Sequence, residues 1–279
     1  MERIQAAISK ARTSRQDQHQ GAVIAHARQV EALAAAPDLS HAAAWEALPA
    51  FTPDAKHLER NRIVSYPGGA AAGPFDLMRT KVLQAVKENG WRRIAITSPG
   101  AACGKTMTTL NLAFSLARLR DVRTVVIEAD LRRPSMARVL GDTSGHLFAD
   151  VLAGRAPASE HMIRFGANLA FGTNRGATAN AAELLHGPEF SDALDRIEAL
   201  YQPTVMLFDL APMLVTDDTI ASIGSMDAVL LVAAAEHSTV PEVDRCEQDL
   251  AARSNVMGVV LNKCRYLDKS EGYGGKYGY

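Results

Sequence analysis

A doubly wound α/β fold, with a mostly parallel sheet covered by helices on both faces and a helical arm in front, is what three features of the sequence predict. Short, near-continuous apolar runs recur from residue 92 onward, such as RRIAITS, RTVVIEAD, TVMLFDLAP, AVLLVAAA and VMGVVLNK. Segments of helical length and composition separate them. A glycine-containing turn joins the first run to the first of these helices. Apolar strands that alternate with helices argue for a parallel sheet buried on both sides, because the crossover helices cover its faces.

Residues 1–64 read differently. AAISKAR, AVIAHARQVEALAAA and HAAAWEALPA are alanine-rich and suit helices, with polar breakers between them and no strand signal. They predict a partly helical arm, in which Trp45 is an anchor onto either a membrane partner or the protein's own surface. SYPGGAAAGPFD follows, and its Pro67, Gly68, Gly69, Gly73 and Pro74 predict a flexible hinge. The next helix, PFDLMRTKVLQAVKENG, ends at Gly90, a residue suited to a C-cap.

The main domain is expected over residues 65–267. Its strands are the five apolar runs and the weaker ANLAFGT. KTMTTLNLAFSLARL forms the helix after the first strand, and AAELLHGPEFSDALDRIEALY is helical with a break near Gly187-Pro188. VPEVDRCEQDLAARS is the helix between the last two strands. Residues 268–279 form a glycine- and tyrosine-rich tail with nothing to build a core.

Bulk properties bound the function. The chain has 279 residues, 47% of them hydrophobic, and a formal net charge of −1, so no strong field points to nucleic acid or an anionic membrane. Its apolar runs fall far short of the ~20 residues that span a bilayer. The first residues lack the apolar core of a secretory signal. Cys103, Cys246 and Cys264 are scattered, which fits a reducing cytoplasm rather than a disulfide framework. A cytoplasmic protein is the expectation.

SPGAACGKT, residues 98–106, carries the chemistry. A strand leads into it and a helix leaves near Lys105, the setting in which a P-loop cradles phosphate. Backbone N–H groups at such a helix start point at an anion, and the helix dipole adds to the attraction. Gly100, Ala101, Ala102, Cys103, Gly104, Lys105, Thr106 and Met107 are the candidate nucleotide-binding residues. Lys105 would reach the β- and γ-phosphates and the Thr106 hydroxyl would ligate Mg²⁺. The second strand ends in Glu128 and Asp130, which share a face where the chain stays extended. The strand in TVMLFDLAP ends in Asp209 after four apolar residues, the form of a Walker B aspartate. Strand ends of a parallel sheet converge on one crevice. Asp130 and Asp209 are therefore candidate metal ligands beside Thr106, which leaves Glu128 as a candidate base. Together they predict a nucleotide-phosphate site with Mg²⁺.

SPGAACGKT, IEADLRRP, LFDLAP and GYGGKYGY, with FDLMRT and GVVLNK, resemble the bacterial tyrosine kinase (BY-kinase) family, relatives of the division-site and partition ATPases, over residues 75–279. The resemblance implies a P-loop NTPase-type fold and an ATP-dependent kinase with Lys105, Glu128, Asp130 and Asp209 as its catalytic residues. It implies autophosphorylation of tail tyrosines between subunits of a homo-oligomer, here Tyr273, Tyr277 and Tyr279. The implied partners are an inner-membrane polysaccharide co-polymerase, which would hold the kinase at the membrane, and a phosphotyrosine phosphatase. Asn262 faces the adenine by fold analogy or simply caps its strand. Arg132 and Arg133 contact phosphate or a neighbouring subunit, or are structural.

Three motifs depart from the family pattern. Glu128 stands in place of the first aspartate of an Asp-x-Asp-x-Arg motif, and the extra methylene alters the reach of a base. Ala102 stands where the loop usually has glycine. In the upstream Glu-x-x-Arg-x-x-Arg assembly motif only Arg79 remains, with Gly73 and Asp76 at the first two positions. Position 100 is glycine rather than the signature lysine of partition ATPases, which, with the neutral charge, opposes action on DNA. A nucleotide-binding regulatory subunit with little kinase chemistry is the competing expectation.

Overall fold

The structure is a computed structural model and describes residues 41–264. Two short helices come first, α1 (His41–Ala47) and α2 (Ala55–Arg60), then the long α3 (Gly73–Asn89). β1 (Arg93–Thr97) leads into α4 (Lys105–Ala117) and β2 (Thr124–Glu128). Three short helices follow, α5 (Met136–Leu140), α6 (Phe148–Leu152) and α7 (Ala158–His161), and then β3 (Met162–Phe165) and β4 (Leu169–Gly172). α8 (Ala181–His186) and α9 (Pro188–Tyr201) precede β5 (Val205–Asp209). α10 (Asp218–Ser222), β6 (Ala228–Ala234), α11 (Val240–Ala251) and β7 (Asn255–Asn262) complete the described chain.

The seven strands form one sheet in the order β3-β4-β2-β5-β1-β6-β7. Every neighbouring pair is parallel except β3 with β4. The six strands expected from apolar runs are present. β3 is additional: its four residues, with Arg164 among them, carry no apolar run to announce an edge strand.

Alternation along the strands divides the core. Ala95, Val125, Ile127, Met206, Phe208, Val229 and Leu231 face α1, α6, α9 and α11. Ile94, Ile96, Val126, Leu207 and Leu230 face α2, α3, α4 and α5. Both faces of the central strands are therefore dry, and the expected doubly wound sheet is what these residues build. Gly90 takes φ 69°, the left-handed cap expected at the end of α3, and Gly187 separates α8 from α9 where the helix break was expected.

The arm expected over residues 1–64 needs correction from His41 onward, because that stretch belongs to the domain. Leu48, Leu58 and Ile63 are fully buried. Trp45 donates its indole N–H to the Tyr201 carbonyl at 2.7 Å and meets the Tyr201 ring edge-to-face at 5.9 Å. Its anchor is the domain's own α9. The amide of Phe51 donates to the Arg164 carbonyl, and that of Arg164 to the Pro49 carbonyl. Residues 49–51 thus cover the outer edge of β3, an edge that would otherwise expose unpaired amides and carbonyls. Residues 1–40 lie outside the described residues.

The hinge expected near residues 65–76 is also pinned. The Ser65 amide donates to Asn111 Oδ1 at 3.0 Å, and Asn111 Nδ2 donates to the Arg62 carbonyl at 3.0 Å. Asp76 accepts from Ser115 Oγ at 2.6 Å and also pairs with Arg79 and Arg118. Arg79 reaches the Ser115 carbonyl as well, so this remnant of the assembly motif is bound within the domain.

Candidate functional site: a phosphate-binding turn at three strand ends

β2, β5 and β1 lie side by side, so Glu128, Asp209 and Ser98 emerge at one edge of the sheet. Glu128 and Asp209 are register partners and share the face that α4 covers. Strand alternation explains the shared face: Val126 and Leu207, two residues earlier, pack against α4 as well.

The turn after β1 is held at both ends. The Met213 and Leu214 amides donate to the Ser98 and Pro99 carbonyls at 2.8 and 3.0 Å. Ser98 Oγ donates to the Gly100 carbonyl at 2.7 Å. Pro99 thus supplies an acceptor, and its ring nitrogen has no hydrogen to place. Ala102 takes φ 60° and Gly104 φ 95°, so both occupy the left-handed region, and Ala102 does so against the repulsion of its own Cβ. At Gly104 a Cβ would sit 2.2 Å from Asn262 Nδ2. α4 then starts at Lys105, and its first-turn amides have no partner within the helix, the usual state of a helix start.

The expected charged residues converge here. Lys105 Nζ lies 2.7 Å from Asp130 Oδ2 and 3.7 Å from Asp209 Oδ1. Burial works against the Lys105 ammonium, yet the Asp209 and Asp130 carboxylates outweigh it and hold its pKa above the ordinary value. Thr106 Oγ1 donates to Asp209 Oδ2 at 2.6 Å. Burial pushes the Asp209 carboxyl up, opposed by Lys105 and by the Thr106 hydrogen bond. Asp209 Oδ1 is buried and accepts no hydrogen bond from the described residues. A buried carboxylate oxygen without a donor, beside a threonine hydroxyl, is a donor set that fits a hard divalent cation.

Glu128 is placed otherwise than a free base would be. Its Oε1 accepts from the Ser135 and Met136 amides at 2.5 and 2.6 Å, and its Oε2 from the Asn174 amide at 2.8 Å. Both carboxylate oxygens are engaged and the side chain is wholly buried. The extra methylene of glutamate carries the carboxylate to the start of α5. Asp130 is the carboxylate of this motif that faces Lys105, and it also accepts the Arg133 amide at 3.1 Å.

Arg132 forks onto Asp218 at 2.8 and 3.0 Å, and Asp218 is fully buried. That pairing ties the second motif to α10, so the structural reading of Arg132 is the one the geometry supports; the Arg133 side chain is exposed. Asn262 Nδ2 donates to the Cys103 carbonyl at 2.9 Å, which brackets the turn against the end of β7. Cys103 is buried in the turn, with Sγ 3.5 Å from Ser238 Oγ. Beside it a cavity of about 230 Å³ is lined by Ala102, Ala235, Glu236, His237 and Lys263. Ala102, Glu236 and Lys263 all take positive φ. The sequence reading missed Glu236, His237 and Lys263; a loop directly after an apolar run was the only signal. Tyr273, Tyr277 and Tyr279 lie outside the described residues.

Comparison with known proteins follows the same lines. Tyrosine-protein kinase Etk of Escherichia coli is 28% identical over 76% of this chain, and the chain spans 30% of Etk's length. The solved kinase domain of that enzyme superposes with a TM-score of 0.63 at 25% identity, over 76% of this chain and 82% of the domain. Tyrosine-protein kinase CpsD of Streptococcus pneumoniae is 26% identical over 61% of this chain and 75% of its own. Cobyrinic acid a,c-diamide synthase from Mycobacterium smegmatis, solved with an ATP analogue and magnesium, shares the fold, with a TM-score of 0.51 at 17% identity over 61% of this chain and 74% of its own. The resemblance to bacterial tyrosine kinases read from the motifs is thus found in sequence and in structure. The model of the CobQ/CobB/MinD/ParA nucleotide-binding domain matches residues 94–271, and with the turn, the lysine and the strand-end carboxylates in place, the chain belongs to that family.

Proposed function

We propose that the chain is an ATP-dependent protein-tyrosine autokinase that phosphorylates Tyr273, Tyr277 and Tyr279 of a neighbouring copy. The observation that carries this reading is the convergence of Lys105, Thr106, Asp130 and Asp209 on the mouth of a phosphate-binding turn. Phosphoryl transfer asks a protein mainly for position and charge neutralisation. The turn and the α4 amides hold phosphate, and Lys105 passes its charge from Asp130 to the β- and γ-oxygens. Thr106 and Asp209 hold Mg²⁺, which neutralises charge on the phosphates when bound. Asp130, released by Lys105, takes the tyrosine proton; the role first given to Glu128 passes to it because Glu128 is engaged by three amides. The base of the nucleotide occupies the cavity beside Asn262.

Relatives named as tyrosine kinases support this assignment. The reading includes a cytoplasmic location and docking on an inner-membrane polysaccharide co-polymerase, with a phosphotyrosine phosphatase resetting the tail. Among the described residues no helix is long and apolar enough to cross a membrane. One observation favours the competing reading of a nucleotide-switched regulator: the carboxylate at the first position of the second motif accepts backbone amides and offers no free oxygen.

Mass spectrometry after incubation with Mg-ATP separates the two. The kinase reading expects phosphate on the tail tyrosines of the parent chain and none on Lys105→Met. Bound nucleotide with unmodified tyrosines would leave the regulator.

A further inference from the structure

The Thr106 hydroxyl oxygen has one hydrogen and two lone pairs. Its hydrogen goes to Asp209 Oδ2 at 2.6 Å. One lone pair faces Ser135 Oγ, which donates to it across 3.3 Å. A single lone pair remains, and with two of the three directions around the oxygen fixed, the third is fixed as well. Nothing in the sequence marked Ser135, which stands 29 residues from Thr106.

Ser135 is itself held from below. It precedes α5 with φ −138° and ψ −10° and makes no side-chain cap bond to that helix, so its hydroxyl is available to Thr106. Its amide and that of Met136 converge on Glu128 Oε1. Glu128 Oε2 takes the Asn174 amide, and Asn174 Nδ2 returns a bond to the Glu128 carbonyl at 3.0 Å. One carboxylate therefore fastens the end of β2, the start of α5 and the turn after β4 to one another. An aspartate, one methylene shorter, would have to shift the start of α5 or give up these amides.

We infer that Ser135 is a positioning residue for the cation-ligating hydroxyl of Thr106, and that Glu128 acts by holding Ser135 in place. The inference rests on the reading of the site as one for a magnesium nucleotide. Ser135 touches neither nucleotide nor cation; it orients the oxygen that does. Ordering that oxygen in advance lowers the cost of cation binding, the general advantage of a prearranged site. The 3.3 Å separation makes this a weak bond, so its expected effect is a few-fold change and not a loss.

The test titrates Mg²⁺ into the full chain with a fluorescent ADP analogue, and repeats nucleotide binding in EDTA. Ser135→Ala is expected to raise the Mg²⁺ concentration at half-effect by about two- to five-fold and to leave affinity in EDTA unchanged. Ser135→Thr, which keeps the hydroxyl, is expected to restore the parent value. Glu128→Gln is expected to shift the midpoint in the same direction as Ser135→Ala. Thermal unfolding of each variant establishes that it is folded. An unchanged Mg²⁺ midpoint in folded Ser135→Ala overturns the inference, as does an equal loss of affinity in EDTA, which marks a merely structural serine. If nucleotide binding by the parent chain ignores Mg²⁺ altogether, the magnesium reading falls and takes the inference with it. A parent chain that responds to Mg²⁺ beside an identical Ser135→Ala overturns the inference alone.

Discussion

Ala102 holds φ 60° in the middle of the phosphate-binding turn, a conformation that costs an L residue with a Cβ roughly 1–2 kcal/mol. Glycine removes that cost but adds unfolded-state freedom of about 0.5–1 kcal/mol. Ala102→Gly is accordingly expected to stabilise the protein by about 0.5–1 kcal/mol in urea unfolding, with nucleotide affinity retained. Gly104 is the opposite case. It combines φ 95° with a Cβ position 2.2 Å from Asn262 Nδ2, so Gly104→Ala must break the Asn262–Cys103 bond and is expected to abolish nucleotide binding. Glu128 gives the pH dependence. Burial, opposed by the amides it accepts, raises its carboxyl from 4.5 to about 7. In the unfolded chain the group gives up its proton near 4.5, whereas in the folded chain it keeps it until about 7. Its contribution is therefore greatest below 4.5 and is lost as pH rises through about 7. Unfolding of the nucleotide-free protein at pH 5 and pH 8 should show a smaller drop in Glu128→Gln than in the parent. The residues of the turn and both aspartates were legible in the sequence, because each sits at a fixed offset from a strand end. The engagement of Glu128 was not: its partners, Ser135, Met136 and Asn174, come from two separate segments whose approach only the fold sets.

At the scale of elements, strands were the clearest. β1, β2, β5 and β6 are buried along nearly their whole length and so read as unbroken apolar runs. β3 failed to register because it has four residues and pairs at the sheet margin. α5, α6 and α7 have four or five residues each, too few turns for a helical period to show. α1 was legible as a helix, but its alanine-rich composition hid its attachment. Alanines allow close approach without announcing an apolar stripe, and a single tryptophan does the fastening. Trp45 is almost completely buried, is bonded to the Tyr201 carbonyl, and has the Arg123 guanidinium 5.8 Å above its ring. Trp45→Ala removes this packing and leaves a cavity against α9. The expected cost is about 3–5 kcal/mol by chemical denaturation. Trp45→Phe, which keeps the ring but not the N–H, is expected to lose roughly 1–3 kcal/mol. Equal and small effects from both would show that α1 does not contribute to the stability of the sheet.

For the molecule as a whole, the sheet order brings the strand ends of β2, β5 and β1 together, and no sequence pattern states that order. What the sequence does carry is the rule that parallel strand ends face one crevice, and that suffices to group Lys105, Asp130 and Asp209. The same centrality couples the site to global stability. Without ligand, Lys105 neutralises Asp130 and lies near Asp209, both of them at most slightly exposed. Lys105→Met leaves those carboxylates without their cation, so the nucleotide-free variant is expected to unfold more readily than the parent. Nucleotide acts in the opposite direction. A ligand that binds only the folded chain stabilises it by RT ln(1 + [L]/Kd), about 2.7 kcal/mol at a concentration 100 times Kd. For a domain of this size that corresponds to a rise in Tm of roughly 5–10 °C. Mg-ADP is therefore expected to raise the Tm of the parent chain by that amount and that of Lys105→Met by little. A full shift in Lys105→Met would mean that the loop amides bind nucleotide without the lysine and that the lysine serves chiefly to balance the buried aspartates.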